Sequence, residues 1–168
     1  MENLQNKKWW MYVHNDLREL LTQSRFLIDN LKKWEVDKEQ RFQDYAFIVF
    51  PAAKAYEGFL KTLFFDMGFI GKDDYYGKRF RIGRSLNPSL EKRFRSNESI
   101  YDKLVEYLGG YELADTLWDT WKNCRNLLFH WFPNEKNAIS FAEAENRVMD
   151  VVNAMDKAYE ECKIKGKR

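Results

Sequence analysis

Cysteine, histidine and proline are all scarce in this chain: two, two and three residues among 168. Cys124 and Cys162 form no CxxC pair and both fall in segments of helical periodicity, so they read as reduced thiols in a cytoplasmic protein. His14, His130 and the two thiols lie far apart in sequence and offer no ligand spacing, so neither a metal nor a cofactor is expected. No apolar run approaches the ~20 residues of a membrane span. The opening Met-Glu-Asn-Leu-Gln-Asn-Lys-Lys leads into no signal-peptide core, so neither membrane association nor secretion is expected. Repeats and low-complexity blocks are missing too.

Aromatic side chains are plentiful. At 17% of the chain they suggest a solid core with apolar surface left over for a partner. The length fits a single domain over residues 1–168 that buries roughly 70% of its unfolded surface. The net charge of +2 is unevenly spread. Residues 71–95 carry +5, leaving the remainder at −3. The basic residues Lys78, Arg79, Arg81, Arg84, Arg93 and Arg95 alternate there with Tyr75, Tyr76, Phe80 and Phe94, a composition suited to a nucleic-acid backbone with bases to stack. A solvated loop would have the same composition.

Helical periodicity dominates the rest. Leu17, Leu20, Leu21, Leu27, Ile28 and Leu31 define one face of a first helix. A longer face runs from Phe42 through Tyr56 to Met67; Pro51 interrupts it without changing its phase, which predicts one kinked helix ended by Gly68. Residues 69–96 lose the period and gain glycines and Pro88. They read as a long basic connection with room for a short hairpin or helical turn. A short helix at about 98–108 stops at Gly109-Gly110. The next buries Leu113, Leu117, Trp121, Cys124 and Leu128 and is closed by Pro133. A capping box from Ser140 to Glu143 opens the last helix, which frays into a basic tail at 163–168. The expected architecture is an all-α antiparallel helical bundle.

Within the penultimate helix stands Arg125-Asn126-Leu127-Leu128-Phe129-His130: an arginine, a polar residue and a histidine five positions on. On an ideal helix Arg125 and His130 lie about 140° apart, with Asn126 about 40° from His130. All three then share one broad polar edge. A helix C-terminus favours the imidazolium and Arg125 opposes it, which can hold His130 near neutrality, where one group serves as base and then acid. Arg125 offers a planar fork for phosphoryl oxygens, and Asn126 can orient the imidazole or a ribose. A surface arginine and a helix-end histidine give the same spacing without any chemistry.

The motif follows a long helix carrying Lys54-Ala55-Tyr56-Glu57-Gly58-Phe59-Leu60-Lys61. Over roughly residues 40–160 this arrangement resembles the HEPN superfamily, in particular the toxin domain of RnlA/LsoA-type toxin–antitoxin ribonucleases. The resemblance implies a HEPN-like bundle and a metal-independent endoribonuclease of toxin or phage-defence type. Such an enzyme leaves 2′,3′-cyclic phosphate and 5′-hydroxyl ends. It further implies that Lys54 and Glu57, at i and i+3, assist Arg125 and His130, with lysine standing where the family has arginine. A pair between Glu57 and Lys61 is the structural alternative. A homodimer with a composite cleft, an RNA substrate, a possible protein antitoxin and a stand-alone catalytic module also follow from it. Trp9, Trp10, Trp118 and Trp131 are candidates for the dimer interface, Trp118 and Trp131 fitting a core role better. Two other readings stay open: a non-catalytic HEPN module binding nucleotide, RNA or protein, and a HEPN protein regulated by a nucleotidyltransferase. Phe132 bears on the second, because such pairs place a modifiable tyrosine two residues after the histidine.

Overall fold

A computed structural model describes residues 3–35, 42–133 and 137–162; the basic tail at 163–168 lies outside the described residues. Eight α-helices are present among them and no strand: α1 (Asn15–Glu35), α2 (Ala46–Asp66), α3 (Lys72–Tyr76), α4 (Ile82–Ser85), α5 (Lys92–Glu98), α6 (Ile100–Leu108), α7 (Glu112–Trp121) and α8 (Phe141–Glu161). None is long and apolar enough to cross a membrane.

Four of these helices surround the core. Near its start α1 touches α2 at Leu17 and Gly58; further along, Ser24 meets Ile48 and Ala52. The two helices therefore run antiparallel. Tyr56 of α2 donates to the Leu117 carbonyl of α7 at 3.2 Å, while Phe50 meets Phe129 just beyond it, again antiparallel. The α7 segment opposes α8 in the same sense, with Lys157 reaching Glu112 and Thr116, and the Cys124 thiol facing the Arg147 carbonyl. Tyr56, Phe59, Leu60, Leu63 and Phe64, each at most 1% exposed, make α2 the most deeply buried element. The buried apolar residues form one continuous cluster.

Pro51 sits inside α2 as the sequence predicts, but the helix begins only at Ala46, so Phe42 and Tyr45 precede it. Beside the proline, the buried hydroxyl of Ser24 donates to the Ile48 carbonyl at 2.8 Å and accepts from the Ala52 N–H at 3.0 Å. A side chain from α1 thus satisfies both partners of the helical bond next to the residue that lacks an N–H. Gly68 at φ 72° and Gly109 at φ 72° take the left-handed conformation after α2 and α6, where a side chain would be strained. The capping box of α8 is formed: Ser140 accepts from the Glu143 N–H, and the Glu143 carboxylate accepts from the Ser140 N–H.

Three expectations need correction. The connection at 69–96 holds no hairpin, and in place of a long loop with one helical turn it folds into three short helices, α3, α4 and α5. Trp9 is no interface residue: it is fully buried, and its indole N–H donates to Asp156 of α8. Lys7 pairs with the same carboxylate at 2.8 Å, and Lys8 with Glu160 at 2.8 Å, so the segment before α1 is latched onto α8. Trp131, which suited a core role, is 81% exposed.

Candidate functional site

The helix carrying the Arg125–His130 motif does not continue as an α-helix. After α7, residues Lys122–Asn126 form a π turn in which the Leu127 N–H bonds the Lys122 carbonyl at 2.9 Å. The wider turn keeps Cys124 and Leu128 in the core while Arg125 and Asn126 stand half-exposed beside them. Single π turns recur at functional sites because they re-aim a side chain without ending the helix. The ideal-helix angles between Arg125, Asn126 and His130 therefore do not apply. His130 lies past the helix, not in its last turn, and is exposed.

Each motif residue is held differently. The Arg125 guanidinium lies 5.1 Å from the centre of the Trp121 ring, a cation–π contact across one turn. Its Nη2 is 3.8 Å from the Glu57 Oε2, so Glu57 pairs with Arg125. The alternative partner, Lys61, donates instead to the Gly77 carbonyl at 3.1 Å. Both members of the Arg125–Glu57 pair are more than a third exposed, so its contribution to stability is about 0–1 kcal/mol. It is loose enough for an incoming anion to take Glu57's place. Lys54, one turn before Glu57 on α2, is exposed and has no partner among the described residues.

His130 is fixed through its backbone. Asn137 Nδ2 donates to the His130 carbonyl at 2.6 Å and more weakly to that of Leu127 at 3.4 Å, satisfying acceptors left open at the helix end. The imidazole makes no hydrogen bond within the described chain; its nearest aromatic neighbour is Phe132, with ring centres 6.4 Å apart. Arg125 and Glu57 are thus brought together, whereas Asn126, Lys54 and His130 are joined to neither by a hydrogen bond or ion pair. Among the described residues no three of His, Cys, Asp and Glu converge as metal ligands would.

The buried polar groups nearby serve the fold. Burial, with Asp150 adding, pushes the Cys124 thiol up to about 12, and burial does the same to Cys162. Neither is a thiolate at neutral pH. Burial likewise lifts the Tyr56 hydroxyl well above its ordinary value, with Cys124 reinforcing the effect.

The basic segment is more differentiated than its composition suggests. Arg84 bonds Glu98 at 2.6 Å, Arg93 bonds Glu91 at 2.8 Å, and Arg95 holds Asp102 through two bonds of 2.8 and 2.6 Å. That last pair, chiefly the hydrogen bonds from Arg95, lowers the Asp102 carboxyl. Arg84 and Arg93 flank Phe94, at 4.4 and 4.6 Å from its ring centre. Arg81 donates to the Lys78 carbonyl at 2.8 Å, while Lys78 and Arg79 are exposed and unpaired among the described residues.

Gly83 joins this segment to Arg125. A Cβ added there would lie 2.5 Å from Trp121 Nε1, so only glycine lets α4 press against the indole that carries Arg125. Trp121 is 4% exposed and has no room to retreat. Gly83→Ala is expected to destabilise the protein by about 1–3 kcal/mol. A lower urea midpoint at unchanged slope would register this; an unchanged midpoint would show that α4 moves freely. Gly83, Trp121 and Asn137 are the supporting residues that the motif reading missed. For Trp121 a signal existed, its i−4 spacing from Arg125.

Comparison of the chain with family models, with curated proteins and with solved structures returns no match. The functional reading therefore rests on the residues.

Proposed function

We propose that this chain is a HEPN-like, metal-independent endoribonuclease of toxin or defence type, acting in the cytoplasm. The observation that carries the reading is Arg125, seated on Trp121 at a π turn and only loosely held by Glu57, within the Arg-Asn-x3-His sequence of an all-α chain. A guanidinium so placed has donors to offer a phosphodiester, and the adjoining α3–α5 segment supplies further cations. In this mechanism His130 removes the proton from the 2′-hydroxyl, which attacks the adjacent phosphorus. Arg125 stabilises charge on the non-bridging oxygens, and Glu57 keeps its fork oriented until the phosphate arrives. Asn126 binds the ribose or imidazole, and Lys54 adds charge from the neighbouring helix. Protonation of the departing 5′-oxygen then leaves a 2′,3′-cyclic phosphate and a 5′-hydroxyl.

A single imidazole with no partner among the described residues serves two proton transfers poorly. A twofold dimer meets that need, bringing a second His130 or Arg125 to the same phosphate. Trp131, Phe50 and Phe47, at 81%, 56% and 40% exposure, supply apolar surface near the motif for such an interface. The unpartnered imidazole also favours a second reading, a non-catalytic HEPN module that binds RNA through this surface. One experiment separates them: purified protein incubated with RNA in excess EDTA. The proposal expects cleavage undiminished by chelation, with cyclic-phosphate ends. Binding without cleavage supports the second reading, and cleavage that stops with EDTA and returns with a divalent ion overturns the mechanism.

A further inference from the structure

The cleft between residues 69–85 and the junction of α5 with α6 has features that cleavage at Arg125 does not use. It encloses about 410 Å³, within the roughly 300–1,000 Å³ range of small-molecule sites. Phe80 forms part of an apolar wall, and Arg79, Arg81, Arg84, Asp74 and Asn97 bring polar groups to it. These groups are unequally committed. Arg84 is engaged by Glu98, and Arg81 gives one nitrogen to a backbone carbonyl. Asp74 and Arg79 line the same cleft without a hydrogen bond or ion pair to any described residue. A free acceptor and a free cation at one apolar-walled cleft suit a ligand with adjacent donors, a flat ring and a negative charge.

An ionised carboxylate only accepts. Guanine matches it with two neighbouring donors on its Watson–Crick edge, the N1–H and the 2-amino group. Adenine and cytosine each set a donor beside an acceptor, and that acceptor would face the carboxylate lone pairs. Uracil has a single donor between two acceptors. Single-stranded RNA is commonly read in this way, with an unstacked base against an aromatic face and hydrogen bonds to its edge.

We propose that the cleft is a guanine-selective subsite for single-stranded RNA. Asp74 accepts from guanine N1–H and N2–H, Phe80 covers the base, and Arg79 with Arg81 holds that nucleotide's phosphate. The subsite rests on the RNA-cleaving reading for its purpose and extends it to substrate choice. Gly83 of α4 abuts the Trp121 indole and Arg125 lies over that same ring, so the segment that brings Arg81 and Arg84 to the cleft is packed against the residue that seats Arg125.

The test measures binding by fluorescence anisotropy with uncleavable 2′-O-methyl pentamers of uridine carrying a central guanosine, inosine or adenosine. The guanosine probe is expected to bind about tenfold or more tightly than the adenosine probe. Inosine, which lacks the 2-amino donor, should fall between them. Asp74→Asn presents one donor and one acceptor, so the preference should pass from guanosine to adenosine. Arg79→Ala with Arg81→Ala should weaken all three probes alike. Equal affinity for guanosine and adenosine in the unaltered protein, or a guanosine preference that survives Asp74→Asn, overturns the subsite. The two readings fail separately. RNA cleaved without base preference, and unaffected by Asp74→Asn, removes the subsite alone. An Asp74-dependent guanosine preference in a protein that never cleaves RNA upholds the subsite and removes the ribonuclease.

Discussion

Replacing His130 with Ala is expected to lower RNA cleavage by about 10²–10⁴-fold, the usual worth of a positioned acid–base group. Helix content and the urea midpoint should be unchanged. The side chain is exposed and bonds to no described residue, and Asn137 grips the backbone carbonyl, which alanine retains. Any growth arrest on expression should disappear with the activity. The same variant reports on assembly. Excess His130→Ala subunits, exchanged into wild type, should depress activity below that of independent sites if two chains build one cleft. Light scattering should then give about twice the 20.3 kDa chain mass. Wild-type cleavage by the variant would remove His130 from the mechanism. A fully active monomer would remove only the composite cleft.

Arg125→Lys is expected to lose about 10²–10³-fold, comparable to deleting one preorganised donor to a phosphoryl oxygen. The charge survives the change, so a loss this large isolates geometry. Lysine is a point charge on a flexible stem, without the planar fork that meets two oxygens at once. It also sits less well on Trp121, whose ring now fixes the guanidinium from 5.1 Å away. Glu57→Gln is the control for the carboxylate, since it keeps the shape and removes the charge facing Arg125. If Arg125→Lys cleaves as fast as wild type, Arg125 acts only by attracting the RNA and the fork is irrelevant.

The helices were largely legible because buried apolar positions repeat with the helical period and their ends carry chemical markers. Gly68, Gly109 and the Ser140–Glu143 box each stop or start a helix where the sequence places it. The π turn was not legible. Nothing in Lys122–Asn126 distinguishes i→i+5 from i→i+4 bonding, because the choice is made by packing Cys124 and Leu128 against the core. The short helices α3, α4 and α5 escaped for the opposite reason: each is too brief for a period to emerge, and each is held by tertiary contacts such as Gly83 on Trp121. Proximity of Glu57 to Arg125 followed from the family resemblance and not from spacing, since 68 positions separate them in the chain. The Asp74–Arg79 cleft had no signal beyond an excess of charge, because a carboxylate left free and one paired to arginine are spelled alike.

The latch of Lys7, Lys8 and Trp9 onto α8 also bears on the order in which the molecule forms. The Trp9–Asp156 bond closes a loop of 147 residues. Loop entropy grows slowly, about 0.6 kcal/mol per doubling of length, so the distance costs the finished protein little. During synthesis, however, the indole waits for its partner until α8 has been made. Trp9 is therefore covered only once α8 is in place, and a nascent chain shows its indole to the cell until α8 closes over it.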